Sequence, residues 1–268
     1  MWRLVIAFLA TVVIAALMAM TGRGGGNFYV PVLVACGVSM LEAATAAQCM
    51  LLTTATAASL VFQRRKTIDW KLALVIDPPT DVMAFIGGYY AHLVNGAILK
   101  VVFAALLVVA AFLMLRPVRQ RYLGGNKGFG FWRRRYGEQD YVVNLWLTLP
   151  VTAATGLIAG MVGISGGSFK VPLMVLACGV PMRIAVGTSS AMVAATAFMG
   201  MIGHTAAGDF NALWAIPMSI AAVFGGLLGG TLSLRTRPEN LKRIFAYTTL
   251  GAAVFMALNA WLSLAAQR

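Results

Sequence analysis

Residues 22–31 read GRGGGNFYVP, and residues 163–172 read GISGGSFKVP, so a block rich in glycine and ending in proline occurs twice in this chain. Each copy continues into the same short segment, ACGVSM at 35–40 and ACGVPM at 177–182. Glycine frees the backbone and proline removes a backbone donor, so both interrupt helices. A duplicated chain with helix breaks at corresponding places is typical of transporters built from internal repeats.

The composition excludes an ordinary soluble domain. Of the 268 residues, 60% are hydrophobic and 11% are charged, whereas soluble domains carry about 25% charged residues. A helix needs roughly 20 apolar residues to cross a bilayer. We predict such spans at about 4–20, 43–62, 72–91, 97–115, 142–162, 184–202, 213–234 and 244–265. The apolar segments 28–37 and 169–179, which follow the glycine blocks, are too short to span as helices.

The two halves of the chain correspond at a constant spacing. Gly87 and Gly88 match Gly229 and Gly230 at the same separation of 142 positions as the two ACGV segments. A single match could arise by chance in a chain so rich in small residues, but an unchanged offset indicates a duplication. We therefore predict three parts, namely a first transmembrane repeat at 1–115, a basic cytoplasmic linker at 116–140 and a second transmembrane repeat at 141–268.

The positions of lysine and arginine indicate that the repeats have opposite orientations. The loop at 64–71 is basic and the loop at 92–97 has no lysine or arginine, whereas the loop at 204–211 has none and the loop at 235–243 is basic. Short cytoplasmic loops collect these residues, so equivalent loops are expected on opposite sides of the membrane. The alternative is a pair of parallel four-span halves, each with a re-entrant loop.

Opposite orientation requires an odd number of crossings in each half. Four full spans are even, so the short apolar segment after the glycines would complete a fifth crossing as extended chain plus a half-helix. The predicted fold is therefore an all-α polytopic membrane protein. It consists of two inverted-topology repeats, each with about four full transmembrane helices plus a broken helix at the glycine motif.

The linker is strongly basic, which predicts that it lies on the cytoplasmic side with both termini outside. Its aromatic residues, Phe129, Phe131 and Trp132, stand beside arginines and could contact anionic lipid or nucleic acid. The lipid surface is favoured, because each basic residue near an anionic leaflet gains on the order of 1 kcal/mol. Nothing else in the chain indicates nucleic acid, and we expect no such partner.

The glycine motifs indicate a cavity inside the membrane, because irregular backbone at that depth is tolerated only where it is buried in protein or lines a cavity. Each motif leads into a helix, with Asn27 or Ser168 as the expected cap and Pro31 or Pro172 in the first turn. Helix N-termini attract anions through free N–H groups and the helix dipole. Two inverted copies would direct two such termini at one anion site near the midplane.

Two cations and several polar residues accompany the motifs. Charges such as Arg23 and Lys170 are rare at membrane depth without function, although a long side chain can also reach the interface. Gln48 and residues 188–190 could donate to a ligand or form close helix contacts. The predicted substrate-binding residues are Arg23, Gly24, Gly25, Gly26, Asn27, Gln48, Ser165, Gly166, Gly167, Ser168, Lys170, Thr188, Ser189 and Ser190.

Two carboxylates fall in the third predicted span, beside two prolines that must distort the helix. Asp77 and Asp81 share one face if helical spacing persists. For Asp81 we consider proton coupling, or a structural ion pair with Arg23 or Lys170. Proton coupling is also a possible role of Asp77, which could instead merely lie near the interface.

The cysteines and histidines lack the spacing of metal ligands, so we expect no metal and no cofactor. Cys36 and Cys178 are interpreted as packing residues. Cys49, next to a predicted ligand, could act chemically on a substrate, but a free cysteine is most often a small buried hydrophobe. His92 and His204 fall at span ends, where interfacial histidine is the ordinary explanation.

The glycine pattern G-x-G-G-G-x-x-x-V-P, with Ser165 replacing a glycine in the second copy, and the G-T-S at 187–189 resemble the TauE/SafE family of sulfite and organosulfonate exporters, also called the toluene-sulfonate uptake permease family. The resemblance extends over nearly the whole chain. It implies a small sulfur-containing anion as substrate, such as sulfite, sulfoacetate or a related sulfonate. It also implies a multi-pass protein of the bacterial inner membrane that works by alternating access and is not an enzyme.

Other functions remain as alternatives. One is an uptake permease for another small anion, and a non-transporting scaffold would not need paired glycine breaks. The G-x-S-G at 163–166 matches rhomboid intramembrane proteases, with His204 as the base. That match is weak, because the first copy lacks the serine and a protease site has no reason to be duplicated. Small-residue faces, such as 225–226 and 229–230, indicate a homodimer.

Overall fold

A computed structural model describes residues 2–93, 104–105, 107–112, 129–162, 166–206 and 210–265. This part of the chain is mostly helical. The α-helices are α1 (Trp2–Ala19), α2 (Gly26–Ala35), α3 (Met40–Arg64), α4 (Trp70–Ile76), α5 (Pro78–Tyr89), α6 (Leu145–Val162), α7 (Gly167–Pro172), α8 (Met182–Ala206), α9 (Ala212–Arg235) and α10 (Pro238–Ala265). The other elements are a 3-10 turn (Ala91–Leu93), a π-helical turn (Leu173–Ala177) that continues α7, and strands β1 (Phe131–Tyr136) and β2 (Gln139–Asn144).

Helices long and apolar enough to cross a membrane confirm the prediction of a helical membrane protein. Within the described residues, four helical segments meet this criterion, at Glu42–Arg64, Leu145–Val162, Met182–Ala206 and Ala212–Arg235. Two shorter apolar helical stretches, Val5–Ala19 and Gly167–Ala177, accompany them. The fourth predicted span, 97–115, lies largely outside the described residues, although 104–105 and 107–112 are helical.

Side-chain caps fix where several helices begin. The hydroxyl of Ser39 accepts from the N–H of Glu42 at 3.4 Å and caps the start of α3, and it also donates to the Glu42 carboxylate. The Asp69 carboxylate accepts from the N–H of Leu72 and caps α4. The Asn211 side chain accepts from the N–H of Leu213 and caps α9. Each cap satisfies a backbone donor that the helix itself leaves free.

The third predicted span consists of two helices. α4 ends at Ile76 and α5 begins at Pro78, which takes the first position of its helix, where a missing N–H costs nothing. Asp77 stands between them, and its carbonyl still accepts from the N–H of Asp81 at 3.1 Å. The two carboxylates therefore keep the helical spacing expected from the sequence despite the break.

Equivalent elements of the two halves have matching lengths and spacing. α3 and α8 are each 25 residues long and begin at Met40 and Met182, 142 positions apart. α1 and α6 each have 18 residues. The second copy of the helix after the glycines, Gly167–Ala177, is one residue longer than Gly26–Ala35. The π-helical turn accommodates that residue, because its wider ring holds one more residue per turn.

α3 and α8 cross the centre of the molecule in opposite directions. The sulfur of Cys49, in the first half of α3, lies 3.2 Å from the sulfur of Met201, in the second half of α8. Towards the other ends, the Ser190 hydroxyl donates to the carbonyl of Ala55 at 3.3 Å. Two helices at equivalent positions in the halves thus pack antiparallel.

The first helix of each half packs against a helix of the other half. A Cβ at Gly229 of α9 would lie 2.2 Å from the carbonyl oxygen of Ala16 in α1, and a Cβ at Gly87 of α5 would lie 2.3 Å from that of Leu157 in α6. The glycines at 225–226 and 229–230 therefore pack against α1 and α3 of the same chain. They no longer support the predicted homodimer.

A β-hairpin, which the sequence patterns did not predict, spans the end of the predicted linker. Its strands pair antiparallel, and the turn has Gly137 at φ 59°. The guanidinium of Arg134 in β1 donates two hydrogen bonds to the buried carboxylate of Asp69, at 2.7 and 2.8 Å, and Tyr141 also donates to it. The hydroxyl of Tyr136 donates to the carbonyl of Ile68 at 2.8 Å. The hairpin is thereby fastened to the loop between α3 and α4.

Removing Arg134 should destabilise the protein, because it leaves the Asp69 carboxylate buried with fewer donors. For Arg134→Ala we expect a loss of about 2 kcal/mol in the free energy of unfolding, the size of a hydrogen bond to a charged group. Arg135 is the matched control, since its side chain is 76% exposed and its nearest carboxylate oxygen is 3.9 Å away. Thermal unfolding in detergent would compare the two variants. Equal stability of both would contradict the importance of the Arg134 contact.

The same contact should make stability depend on pH. Burial raises the pKa of the Asp69 carboxyl, but the hydrogen bonds from Arg134 and Tyr141 outweigh burial and leave that pKa below its ordinary value. The contact between Arg134 and Asp69 therefore contributes fully to the free energy of unfolding when the pH is above the ordinary pKa of the carboxyl. This contribution is lost as the pH falls through the lowered pKa of the folded state. Asp69→Asn should remove this part of the acid sensitivity.

Candidate functional site

The two glycine breaks meet in space. Gly22, Gly24 and Gly25 have φ angles of 72°, 74° and 108°, which side chains other than glycine rarely adopt, so the chain turns sharply after α1. At the other break, a Cβ on Gly167 would lie 2.8 Å from the carbonyl oxygen of Gly22 and 3.0 Å from the Cα of Arg23. The absence of a side chain at Gly167 is what allows the two backbones to touch.

The helices after the breaks begin earlier than predicted. α2 starts at Gly26 with Gly25 as its cap, and α7 starts at Gly167 with Gly166 as its cap. Neither cap has a side chain, so the prediction that Asn27 and Ser168 cap these helices is wrong, and both residues lie in the first turn. Pro31 and Pro172 lie beyond the first turn. Residues 163–165, including the predicted ligand Ser165, lie outside the described residues.

Arg23 is buried without a carboxylate partner in the described part of the chain. Its Nε donates to the hydroxyl of Thr21 at 3.0 Å, and its terminal nitrogens donate to Thr248 and Thr249 of α10. The ring of Phe245 lies 4.5 Å from the guanidinium carbon. Uncharged hydroxyls and a ring do not neutralise a cation, so the site keeps a net positive charge, which is costly to bury without an anion.

The threonine hydroxyls around Arg23 are held in place as acceptors. Thr248 and Thr249 each donate their own proton to a carbonyl one turn earlier in α10, with distances of 2.6 Å to Ile244 and to Phe245. Their lone pairs are then left for the guanidinium. Threonines beside the first glycine break and in the last helix of the second half thus hold the Arg23 guanidinium in place.

Lys170, by contrast, is neutralised. Its ammonium donates to the carboxylate of Asp77 and, at 2.8 Å, to the hydroxyl of Thr196, which lies 2.9 Å from the carboxylate of Asp81. Lys170 and Asp77 are both buried. The ion pair considered for Asp81 is therefore formed by Asp77 instead, and the Asp77 carboxylate is buried inside the protein.

Lys170 also lies beside its own glycine break. A Cβ on Gly166 would lie 3.4 Å from the Lys170 side chain and 3.7 Å from the methyl group of Thr80. Thr80 is fully buried, and its hydroxyl has no hydrogen-bond partner within the described residues. Two polar groups, one of them unsatisfied, thus border this break.

The remaining predicted ligands are used mainly in helix contacts. The hydroxyl of Thr188 accepts from the N–H of Asp69, and that of Ser189 donates to the carbonyl of Gly22 at 2.8 Å. Ser190 bonds to α3. Gln48 is buried against Gly200, and its carbonyl oxygen has no partner among the described residues. Ser189 therefore contacts the first break directly, whereas Thr188 and Ser190 bind elsewhere.

Sequence reasoning missed the threonines that complete both sites. These residues are Thr21, Thr80, Thr196, Thr248 and Thr249. The available signal was weak, since threonine is common in membrane helices as a packing residue. Adjacent threonines at 248–249, in an otherwise apolar span, were the strongest hint.

His204 lies at the end of a membrane-length helix, as predicted, and its side chain packs inside the protein. It is buried in the last turn of α8, and its Nε2 lies 3.0 Å from the carbonyl oxygen of Gly160 in α6. The serine of the protease alternative, Ser165, lies outside the described residues. The geometry of His204 is that of a helix-packing residue.

Comparison with known proteins identifies the family of this chain. A family model described as "Sulfite exporter TauE/SafE" matches residues 7–256. The chain belongs to the TauE/SafE family. This confirms the resemblance inferred from the glycine motifs and makes the chain a member of a family of membrane transporters.

Relatives in this family carry names of the same kind. A "Probable membrane transporter protein YunE" of Bacillus subtilis is 26% identical over 248 residues, covering 84% of this chain and 87% of the relative. A "Probable membrane transporter protein" of Xylella fastidiosa is 24% identical over 253 residues, covering 93% of both chains. No solved structure matches the chain significantly.

Proposed function

We propose that this TauE/SafE protein exports small sulfur-containing anions, such as sulfite, sulfoacetate or related sulfonates, across the inner membrane. The single observation that carries the proposal is the buried Arg23 guanidinium, which has no carboxylate partner among the described residues and lies where the two glycine breaks touch. A small anion of this kind would supply the missing negative charge. Its oxygens would accept hydrogen bonds from the N–H groups of the Arg23 guanidinium that do not donate to the threonines.

The antiparallel packing of α3 and α8 supports inverted repeats as the basis of transport. In such transporters the site lies at the interface of the repeats, and one repeat rocks against the other around it. Arg23 fits this arrangement, because it comes from the first half and is held by Thr248 and Thr249 of the second. Movement of one half would therefore change the surroundings of the cation.

Uptake of another small anion is the second candidate, since the same cation would attract either cargo. The basic linker on the cytoplasmic side and the lipid surface as its partner belong to the same proposal. The family name favours sulfur-containing anions over other cargoes.

Anion binding tests the proposal most directly. We expect sulfite or sulfoacetate to raise the unfolding temperature of the purified protein in detergent more than sulfate or chloride does, because a ligand that binds the folded state stabilises it. The panel of anions to be tested consists of these four and thiosulfate. Sulfite efflux from proteoliposomes would then test transport. Absence of both stabilisation and flux for every anion in the panel would refute the proposal.

A further inference from the structure

We propose that the Asp77 carboxylate takes the place of the substrate anion at Lys170 when the site is empty. When Asp77 is protonated it releases Lys170, and the ammonium of Lys170 then binds the anion. Each anion would then be carried together with a proton. This inference rests on the proposed function, because it describes how the same pair of glycine breaks couples substrate to an ion.

The geometry of the second break supports it. A Cβ placed on Gly166 would lie 3.9 Å from the Lys170 ammonium nitrogen, so this cation borders the second break. The carboxylate of Asp77 therefore takes the place of an anion at that ammonium. The unsatisfied hydroxyl of Thr80, one turn after Asp77, is a further group that a ligand could satisfy.

Asp77 faces few other titratable groups. α6 contains none, and the only one in α4, Lys71, is exposed. In α8, Arg183 is exposed and His204 bonds to α6. The charges near Asp77 are therefore Lys170 of α7 and Asp81 of α5, which is linked to Lys170 through Thr196.

The proton balance of the step is simple. A proton from water on the open side binds a carboxylate oxygen of Asp77, and one O–H bond forms. Lys170 keeps its three protons and its charge, which the incoming anion then neutralises. Asp81 is more exposed than Asp77 and lies on the same helical face, so it is suited to deliver the proton. With the anion and proton moving together, net direction follows the sum of their two gradients.

Proteoliposomes containing a pH-sensitive dye test the inference, with sulfoacetate as the probe because its charge does not change between about pH 6 and pH 8. We expect a sulfoacetate gradient to move protons in the same direction in the unmodified protein. For Asp77→Asn the ratio of proton flux to anion flux should fall by about tenfold or more. Asp140→Asn, in the exposed hairpin, is the matched control and should keep the ratio.

A second variant covers the case in which Asp77→Asn does not fold. Asp77→Asn combined with Lys170→Gln neutralises both partners and leaves no buried charge unpaired. It should insert and also lose coupling. Sulfoacetate flux without proton movement, or an unchanged ratio in both Asp77 variants, would overturn the inference and leave the transport proposal intact. Absence of flux for every anion in the panel would refute both.

Discussion

Gly167→Ala is expected to reduce transport strongly, because a single methyl group would separate the two glycine breaks. The added Cβ would lie 2.8 Å from the carbonyl oxygen of Gly22, 2.9 Å from a methyl group of Val193 and 3.0 Å from the Cα of Arg23. Two of these neighbours are backbone atoms, which cannot move aside without displacing a break. Overpacking of this kind costs about 1–3 kcal/mol.

We expect this strain to act on the contact that transport requires, so flux should fall by about 5-fold to 150-fold, since each tenfold corresponds to about 1.4 kcal/mol. Sulfite flux in proteoliposomes and thermal unfolding would measure the two effects. Gly251→Ala is the matched control, because Gly251 is exposed in α10 and a Cβ there would have no neighbour within 4 Å. If the two variants transported equally well, close contact of the breaks would not matter for function.

Local signals predicted the parts of the fold that depend on neighbouring residues. Apolar helices and the helix breaks at the glycines were readable, because each depends on composition or spacing along the chain. The caps Ser39 and Asn211 carry similar local signals. Helices and breaks of the structure agree with these local patterns.

The partners of the buried charges were not predictable in this way. Lys170 was a candidate ligand and Asp77 a candidate for proton coupling or an interfacial acid, but the two pair across 93 positions of sequence. Arg23 reaches Thr248 and Thr249 more than 220 positions away. Such pairs are decided by helix packing, which one sequence without an alignment does not reveal.

The hairpin was missed for a different reason. The strongly basic composition of the linker favoured a lipid surface, and this outweighed the short turn signal at Gly137 between two segments rich in aromatic and β-branched residues. A charged segment can nonetheless pack when one charge is paired. Here Arg134 pairs with Asp69, and the remaining arginines of β1 are not required for that contact.

Arg23→Met should weaken anion binding and at the same time leave the fold equally or more stable. Arg23 is 1% exposed with no carboxylate partner in the described residues, so its charge costs free energy in the empty protein. Methionine fills a similar apolar volume without that cost. Stability and function should therefore change in opposite directions, as expected of a residue kept for its ligand rather than for the fold.

The affinity for sulfite or sulfoacetate should fall by roughly 10-fold to 100-fold, which corresponds to about 1.5–3 kcal/mol for a hydrogen bond to a charged group. The measurement is the unfolding temperature with and without anion. Arg23→Lys should be intermediate, because lysine keeps the charge but not the planar fork that holds three threonines. Arg183→Met, which removes an exposed arginine, is the control and should retain binding. Full anion stabilisation of Arg23→Met would show that the cation at the meeting point of the breaks does not hold the substrate.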